Sequence, residues 1–296
     1  MILSCGEALI DMLPRKSAAG EDAFAPYAGG AVFNTAIALG RLGVPSGFFS
    51  GLSSDLFGDL LRQVLSDSRV DVSPAHTSNR PTTLAFVRLV DGQATYAFYD
   101  ENTAGRMLTE ADLPDLAGAD ALFFGGISLV GEPCGTAYEA LQVKAAATKV
   151  TMIDPNIRPS FITDAVAYRD RIERMMARAD IVKLSDEDLH WLMGPGDIAE
   201  LAKGVLAKGP RLVCITQGAD GATAYSALGA TFVAATPVTV ADTVGAGDTF
   251  NAGVLTKSGL DTLTEAVIRD ALSLGVRAAA ITVSRAGANP PWDTEL

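Results

Sequence analysis

Four short runs set the strongest limit on what this chain can fold into. ALFFGG (121–126), KVTMID (149–154), DIVKLS (180–185) and LVCITQG (212–218) are apolar almost without alternation. A strand that is apolar at every position buries both faces, which is the habit of a parallel sheet covered by helices on each side. Parallel neighbours need a crossover between them. GTAYEALQVKAAATK, AYRDRIERMMARA and DIAELAKGVLAKG supply it, each with helical spacing of its apolar residues. The rhythm predicts βαβ units wound into an α/β fold. TEAVIRDALSLGVRAAAITV adds a further buried helix near the C-terminus. At 296 residues and 48% hydrophobic content, the chain can bury a core of that size.

One stretch breaks the rhythm. TLAFVRLVDGQATYAFYD (83–100) reads as two strands around Asp91-Gly92, a strong hairpin signal. EALIDML near the N-terminus also reads as extended. These segments predict either a small separate sheet that flaps over a cleft or an antiparallel extension of the main sheet.

Bulk properties exclude several functions. A net charge of −12 argues against nucleic acid and anionic membranes as partners. There is no apolar run long enough to span a bilayer and no signal-peptide pattern, so a cytoplasmic location is expected. Cys5, Cys134 and Cys214 are few, odd in number and far apart, as expected of reduced buried thiols. With only His76 and His190, a histidine-based triad or metal site is not expected.

Chemistry concentrates in ADTVGAGDTFNAG (241–253). TPVTVADTV (236–244) reads as strand or strand end, Gly245-Ala246-Gly247 as a turn, and DTFNAGVLTKSGL as a helix with Asp248 in its first turn or at its cap. The amides of residues 245–248 would lack helical partners, and a helix start binds anions. Asp248 is then either a plain cap or a carboxylate base on the rim of an anion hole. A helix start also favours the ionised carboxylate, which predicts a weak base. AGGAVFNTAIALGRLG (28–43) is a second glycine-rich helix entry. Gly29 and Gly30 allow close backbone approach there, and Asn34 projects from the first turn with the donor and acceptor that suit a polyol. In GLSSDLFGDLL (51–61), Asp55 reads as a cap; TQGADG (216–221) reads as a tight turn between strands. No G-x-x-x-x-G-K-[ST] loop and no protein-kinase motif set is present, and the dinucleotide fingerprint is incomplete.

Taken together, AGGAVFNTAIALGRLG, GLSSDLFGDLL and DTVGAGDTFNAGVL resemble the ribokinase, or phosphofructokinase B, family of carbohydrate kinases. GEALID, FYDENTAGRML, DPNIRPSF, VKLSDEDL and GANPPW point to its fructokinase-like branch. The resemblance covers essentially the whole chain. It implies a single ribokinase-like α/β domain over 1–296, with a central mostly parallel sheet flanked by helices. A small β-sheet lid is implied from segments at about 10–28 and 82–104, which would also serve a homodimer. It implies transfer of the γ-phosphoryl group of ATP to a sugar hydroxymethyl group, with Mg²⁺ and a monovalent cation, K⁺. Asp248 matches the family's catalytic base, and Gly245, Ala246 and Gly247 its anion hole. Asp11, Gly29, Gly30 and Asn34 match the sugar side; Arg106, Asn156 and Arg158 sit in motifs that lean toward the substrate. Lys183, Thr216, Gly218 and Gly221 match the nucleotide side. Asp242 and Val244 lie where the family holds a monovalent cation.

The chain departs from the family's Asn-x-x-Glu, carrying Ser185 to Asp188 as SDED, so that Asp188 would influence Mg²⁺ through water. The expected activity is that of a fructokinase, with 2-keto-3-deoxygluconate kinase next, since Arg158 could face a carboxylate, and ribokinase or a riboside kinase third. A sugar-binding regulator on the same fold and an NAD-dependent oxidoreductase are the readings from other classes. The intact Gly-Ala-Gly-Asp argues against the first, the incomplete fingerprint against the second.

Overall fold

A computed structural model describes residues 1–90, 93–257 and 263–296. Its main sheet is built from β1 (Ile2–Cys5), β4 (Ser46–Phe49), β6 (Val70–Asp71), β10 (Ala121–Gly125), β11 (Val150–Asp154), β12 (Ile181–Ser185), β13 (Leu212–Thr216), β14 (Gly221–Ser226) and β15 (Gly229–Ala234). Among the described residues the strand order is β15-β14-β13-β12-β11-β10-β1-β4-β6. Neighbours are parallel from β6 to β13, and β14 and β15 add an antiparallel edge. The four apolar runs of the sequence are β10 to β13, side by side.

Each strand divides its side chains between two cores. On one face, Phe123, Met152, Ile181 and Cys214 pack with residues of α1 (Ala31–Arg41), α2 (Leu56–Asp67), α7 (Ala246–Lys257) and α8 (Glu265–Val283). On the other, Phe124, Ile153, Val182 and Val213 pack with α3 (Cys134–Ala146), α4 (Ala165–Arg178), α5 (Asp186–Met193) and α6 (Ile198–Leu206). This is the alternation that strand geometry imposes, and it accounts for the unbroken apolar runs.

The rhythm-breaking segments form a separate sheet. β2 (Leu9–Lys16), β3 (Asp22–Gly29), β8 (Leu84–Val90) and β9 (Gln93–Tyr99) take the order β3-β2-β8-β9. The alternative of an antiparallel extension of the main sheet is thereby overturned. The turn expected at Asp91-Gly92 lies outside the described residues. A short parallel pair, β5 (Gly51–Ser53) and β7 (His76–Ser78), precedes the lead into β8. Asp55 caps α2 as expected, accepting from the amides of Phe57 and Gly58, and its carboxylate also takes the amide and hydroxyl of Thr82. All three cysteines are buried free thiols.

TPVTVADTV corrects the sequence reading. Residues 235–243 form no strand, and Val238, Val240 and Val244 are exposed. β-Branched composition favours a strand only where a partner and a core face exist. Here the amides of Ala241 and Asp242 instead bond the carbonyl of Val283 at the end of α8.

Candidate active site

The C-terminal ends of β1, β10, β11 and β12 open on one edge of the sheet, where α/β folds place their ligands. Alternation puts Asp154, two residues beyond Met152, and Lys183, two beyond Ile181, on the face that carries α7. They form a buried ion pair at 3.0 Å. The side chain of Asn251 on α7 donates to the same Asp154 oxygen at 2.7 Å.

Asp248 stands in the first turn of α7 and is buried. Its carboxylate accepts from Asn34 Nδ2 at 2.9 Å, and its carbonyl accepts from the Thr35 hydroxyl at 3.2 Å. Two residues separated by most of the chain are thus joined by the packing of α1 on α7. Burial pushes the Asp248 carboxyl up to about 7; Asp154 and Glu7 add to the rise, and Asn34 and Lys183 oppose it. Burial thus works against the ionised form that a helix start favours. A group titrating near neutrality suits a proton acceptor better than an ordinary carboxylate does.

Bare backbone before Asp248 has two separate causes. Gly245 takes φ +81°, and a Cβ there would fall 2.7 Å from that of Ala288. A Cβ on Gly247 would stand 3.2 Å from Lys183 Nζ. Among the described residues the Thr249 amide reaches the Gly245 carbonyl at 2.9 Å, and the amides of Gly247 and Asp248 ahead of it have no backbone partner one helical turn back. The Ala246 amide makes a long bond of 3.4 Å to the Thr243 carbonyl, so the expected set of free amides is smaller by that weak contact.

On the α1 side, Gly30 is the residue before the helix, at φ 117°. Glu7, just after β1, holds this helix start: Oε1 accepts from the Ala31 amide at 2.9 Å and Oε2 from the Ser128 amide at 3.3 Å. Burial raises its carboxyl above the usual range. Asp11 lies on β2 with Gly29 against it, since a Cβ at 29 would come within 2.4 Å of its carboxylate. Burial raises Asp11 to about 6.

Arg106 pairs with Asp100 at 3.0 Å and donates to the Glu132 carbonyl, lining a small cavity with Glu7, Thr83 and Ser128. Asn156 takes φ +45°, and its amide bonds Asp154. Arg158 is exposed and makes no ion pair among the described residues; its guanidinium reaches the Ile157 carbonyl. Thr216, Gly218 and Gly221 form the expected turn from β13 into β14. Asp188 is buried and accepts from the Ile157 amide at 3.0 Å. Asp242 accepts from the amides of Val244 and Gly287. Sequence reasoning did not single out Glu7, Asp154 or Asn251. Strand parity in DPN was the available signal for Asp154.

The pattern for a pfkB family carbohydrate kinase matches residues 1–295. This chain belongs to that family. A fructokinase from Rhizobium leguminosarum bv. trifolii is 58% identical over 264 residues, covering 89% of this chain and 81% of the relative. The crystal structure of a fructokinase from Vibrio cholerae O395, in its fructose-, ADP- and calcium-bound form, superposes with a TM-score of 0.87 at 27% identity, covering 97% and 94% of the two chains. An aminoimidazole riboside kinase from Salmonella enterica, complexed with aminoimidazole riboside and an ATP analogue, reaches 0.86 at 27% identity over 97% and 94%. With the family shown, the ribokinase-like fold is established, and carbohydrate phosphorylation by ATP is the family's chemistry.

Proposed function

We propose that this chain is a fructokinase, transferring the γ-phosphoryl group of ATP to the 6-hydroxymethyl oxygen of D-fructose. The observation that carries the chemistry is the buried Asp248, held by Asn34 beside the bare start of α7. The 58% identity to a fructokinase supports the acceptor. Phosphoryl transfer asks for in-line positioning and charge stabilisation rather than covalent help. The amides at Gly245 to Asp248 face the transferring group, and Asp248 accepts the proton of the attacking hydroxyl as the new bond forms. Asn34 and Asp11, with Gly29 and Gly30 keeping the backbone close, orient the sugar. Asn156 and Arg158 close its far side, and Arg106 reaches it from the cavity beside Glu7. Thr216, Gly218 and Gly221 line the nucleotide trough. ADP release that depends on fructose tests the reading; a rate equal with and without sugar contradicts it.

Among the described residues no group of three or more His, Cys, Asp or Glu is placed to hold a metal ion. That fits Mg²⁺ carried on ATP phosphates, since Mg²⁺ keeps several waters and needs few carboxylates. Asp188, already bonded to the Ile157 amide, would act on it through water. Bound Mg²⁺ would neutralise phosphate charge. Asp242 shapes the loop that K⁺ would share with Val244. No described helix is long and apolar enough to cross a membrane, and a cytoplasmic location is proposed.

The small sheet, with its flanks at about 10–28 and 82–104, is read as a lid within one domain over 1–296. Asp11, Ala85 and Phe98 share its inner face, and Phe98 meets Phe161 of the main domain with ring centroids 4.2 Å apart. The outer face carries Phe24, Phe86 and Tyr99 in edge-to-face contact, and Phe24 and Tyr99 are about half exposed or more, 48% and 62%. That apolar face suits a second copy of this chain. Hydrogen exchange of residues 84–90 and 93–99, with and without fructose and at two protein concentrations, checks both. Fructose should slow exchange, as should higher concentration; exchange that ignores sugar contradicts a closing lid, and exchange that ignores concentration contradicts the dimer.

A further inference from the structure

Two helix starts meet at the site, since Asn34 in the first turn of α1 donates to Asp248 in the first turn of α7 at 2.9 Å. A helix start draws anions where its amides are open. At α1 they are closed from outside the helix. Gly30 offers no capping side chain, and the first turn carries no acid. The starts of α2, α4, α5, α6 and α8, by contrast, take a cap from their own first residue. Glu7, 24 residues before Ala31, fills the start of α1. Its Oε1 accepts from the amides of Ala31 and Val32 at 2.9 and 3.4 Å, and its Oε2 from the Ser128 amide at 3.3 Å. Gly126, at φ +67°, makes room for it, because a Cβ there would run into the carboxylate.

Glu7 also lines a cavity of about 350 Å³ with Thr83, Asp100, Arg106 and Ser128. Arg106 brings a positive charge to that lining, and Asp100 Oδ2 accepts from it at 3.0 Å. The other oxygen of Asp100 accepts from the hydroxyls of Thr83 and Thr103 at 2.8 and 3.1 Å, which fixes the carboxylate toward the guanidinium. Both groups that would draw an anion here, the α1 start and Arg106, thus face a carboxylate of the chain itself.

We propose that Glu7 and Asp100 set the charge selectivity of the acceptor side. They cancel the α1 start and Arg106, so that this side takes a neutral polyol and an anion is drawn to the start of α7. This rests on the phosphoryl-transfer reading of the same site. With the α1 start and Arg106 uncovered, an acidic or phosphorylated sugar could bind by its charge and hold its hydroxyl away from Asp248. A free guanidinium grips a carboxylate through two parallel hydrogen bonds, and a paired one has less to give. Selectivity then comes from refusing the wrong ligand as much as from holding the right one. The competing account is that Glu7 only caps α1 and Asp100 only ties the base of the small sheet.

The test uses two probes of one chain length on the full-length protein. They are glucitol, and gluconate, which has a carboxylate in place of one hydroxymethyl group. Calorimetry without nucleotide gives Kd for each, and their ratio cancels any loss of affinity common to both. Wild type is expected to bind glucitol more tightly. Asp100→Asn keeps an oxygen for Thr83 and Thr103 and frees Arg106, and the ratio should move toward gluconate by at least about tenfold. Glu7→Gln keeps an oxygen for the Ala31 amide and removes the charge over the α1 start, and the ratio should move by at least about threefold. Capping and tying alone would weaken both probes alike, so a ratio within about twofold of wild type in either variant overturns the proposal. A wild type that prefers gluconate, or binds neither probe, overturns it without any variant. Binding is read here without turnover. A shifted ratio with no fructose-dependent ADP release would therefore contradict the fructokinase reading and leave the charge selectivity standing.

Discussion

Asp248→Asn is expected to lower kcat by at least about 10² while ATP affinity changes little. Asn has the same size and can still accept from Asn34 Nδ2, so the bond between α1 and α7 survives. What is lost is the proton acceptor. A role limited to helix capping predicts the reverse, near-normal turnover with a small loss of stability. The same variant carries a stability signature. The carboxyl rises from 3.8 to about 7 on folding, so between these values the folded state holds a proton that the unfolded state has released. The contribution of Asp248 to stability therefore falls as pH rises from about 4 to about 7, by an amount on the order of 4 kcal/mol. Asp248→Asn has no such group. Its melting temperature should gain on wild type as pH rises through this window, and calorimetric scans at pH 5 and pH 8 check it. Turnover within a few-fold of wild type contradicts the catalytic assignment.

Substrate choice gives the second large effect. Fructose carries a hydroxymethyl group at C1 and a hydroxyl at C3 where 2-keto-3-deoxygluconate carries a carboxylate and a methylene, and Arg158 is a group that could read the carboxylate. Arg158 is exposed and makes no ion pair among the described residues, so nothing preorganises it for a buried anion. Wild-type kcat/KM is expected to favour fructose over 2-keto-3-deoxygluconate by at least about tenfold, and Arg158→Ala to cost fructose turnover less than about tenfold. If the acid is the substrate, the same substitution removes a charge pair worth about 2–5 kcal/mol and abolishes most activity. A preference for the acid, or for a riboside as in the Salmonella relative's complex, would reassign the acceptor within the family.

What could be read in the sequence follows from locality. β10 to β13 were legible because burial of both faces forces every position to be apolar. Asp248 was legible because three small residues precede it and a helix follows. The Asp154–Lys183 pair was not, since it needs β11 and β12 to be adjacent and both side chains to point toward α7. Glu7 is similar: it acts on α1 and on Ser128, elements that meet only when β1 lies between β10 and β4. Asn251 falls in a helix whose small apolar residues give no hint that one face is polar and buried. The failure at TPVTVADTV has the opposite cause, a strong local preference with no neighbouring strand to satisfy it. The rise of the Asp248 carboxyl was not legible, because a helix start is visible in sequence and desolvation is not.

The bare turn before Asp248 is proposed as the place where the γ-phosphoryl group of ATP meets a fructose hydroxymethyl group. Phosphorus NMR of the wild-type reaction with ATP and fructose tests it most directly. Fructose 6-phosphate and ADP are expected in equal amounts, with little free phosphate. ADP accompanied by free phosphate alone, or a phosphoryl group at another position of the sugar, would contradict it.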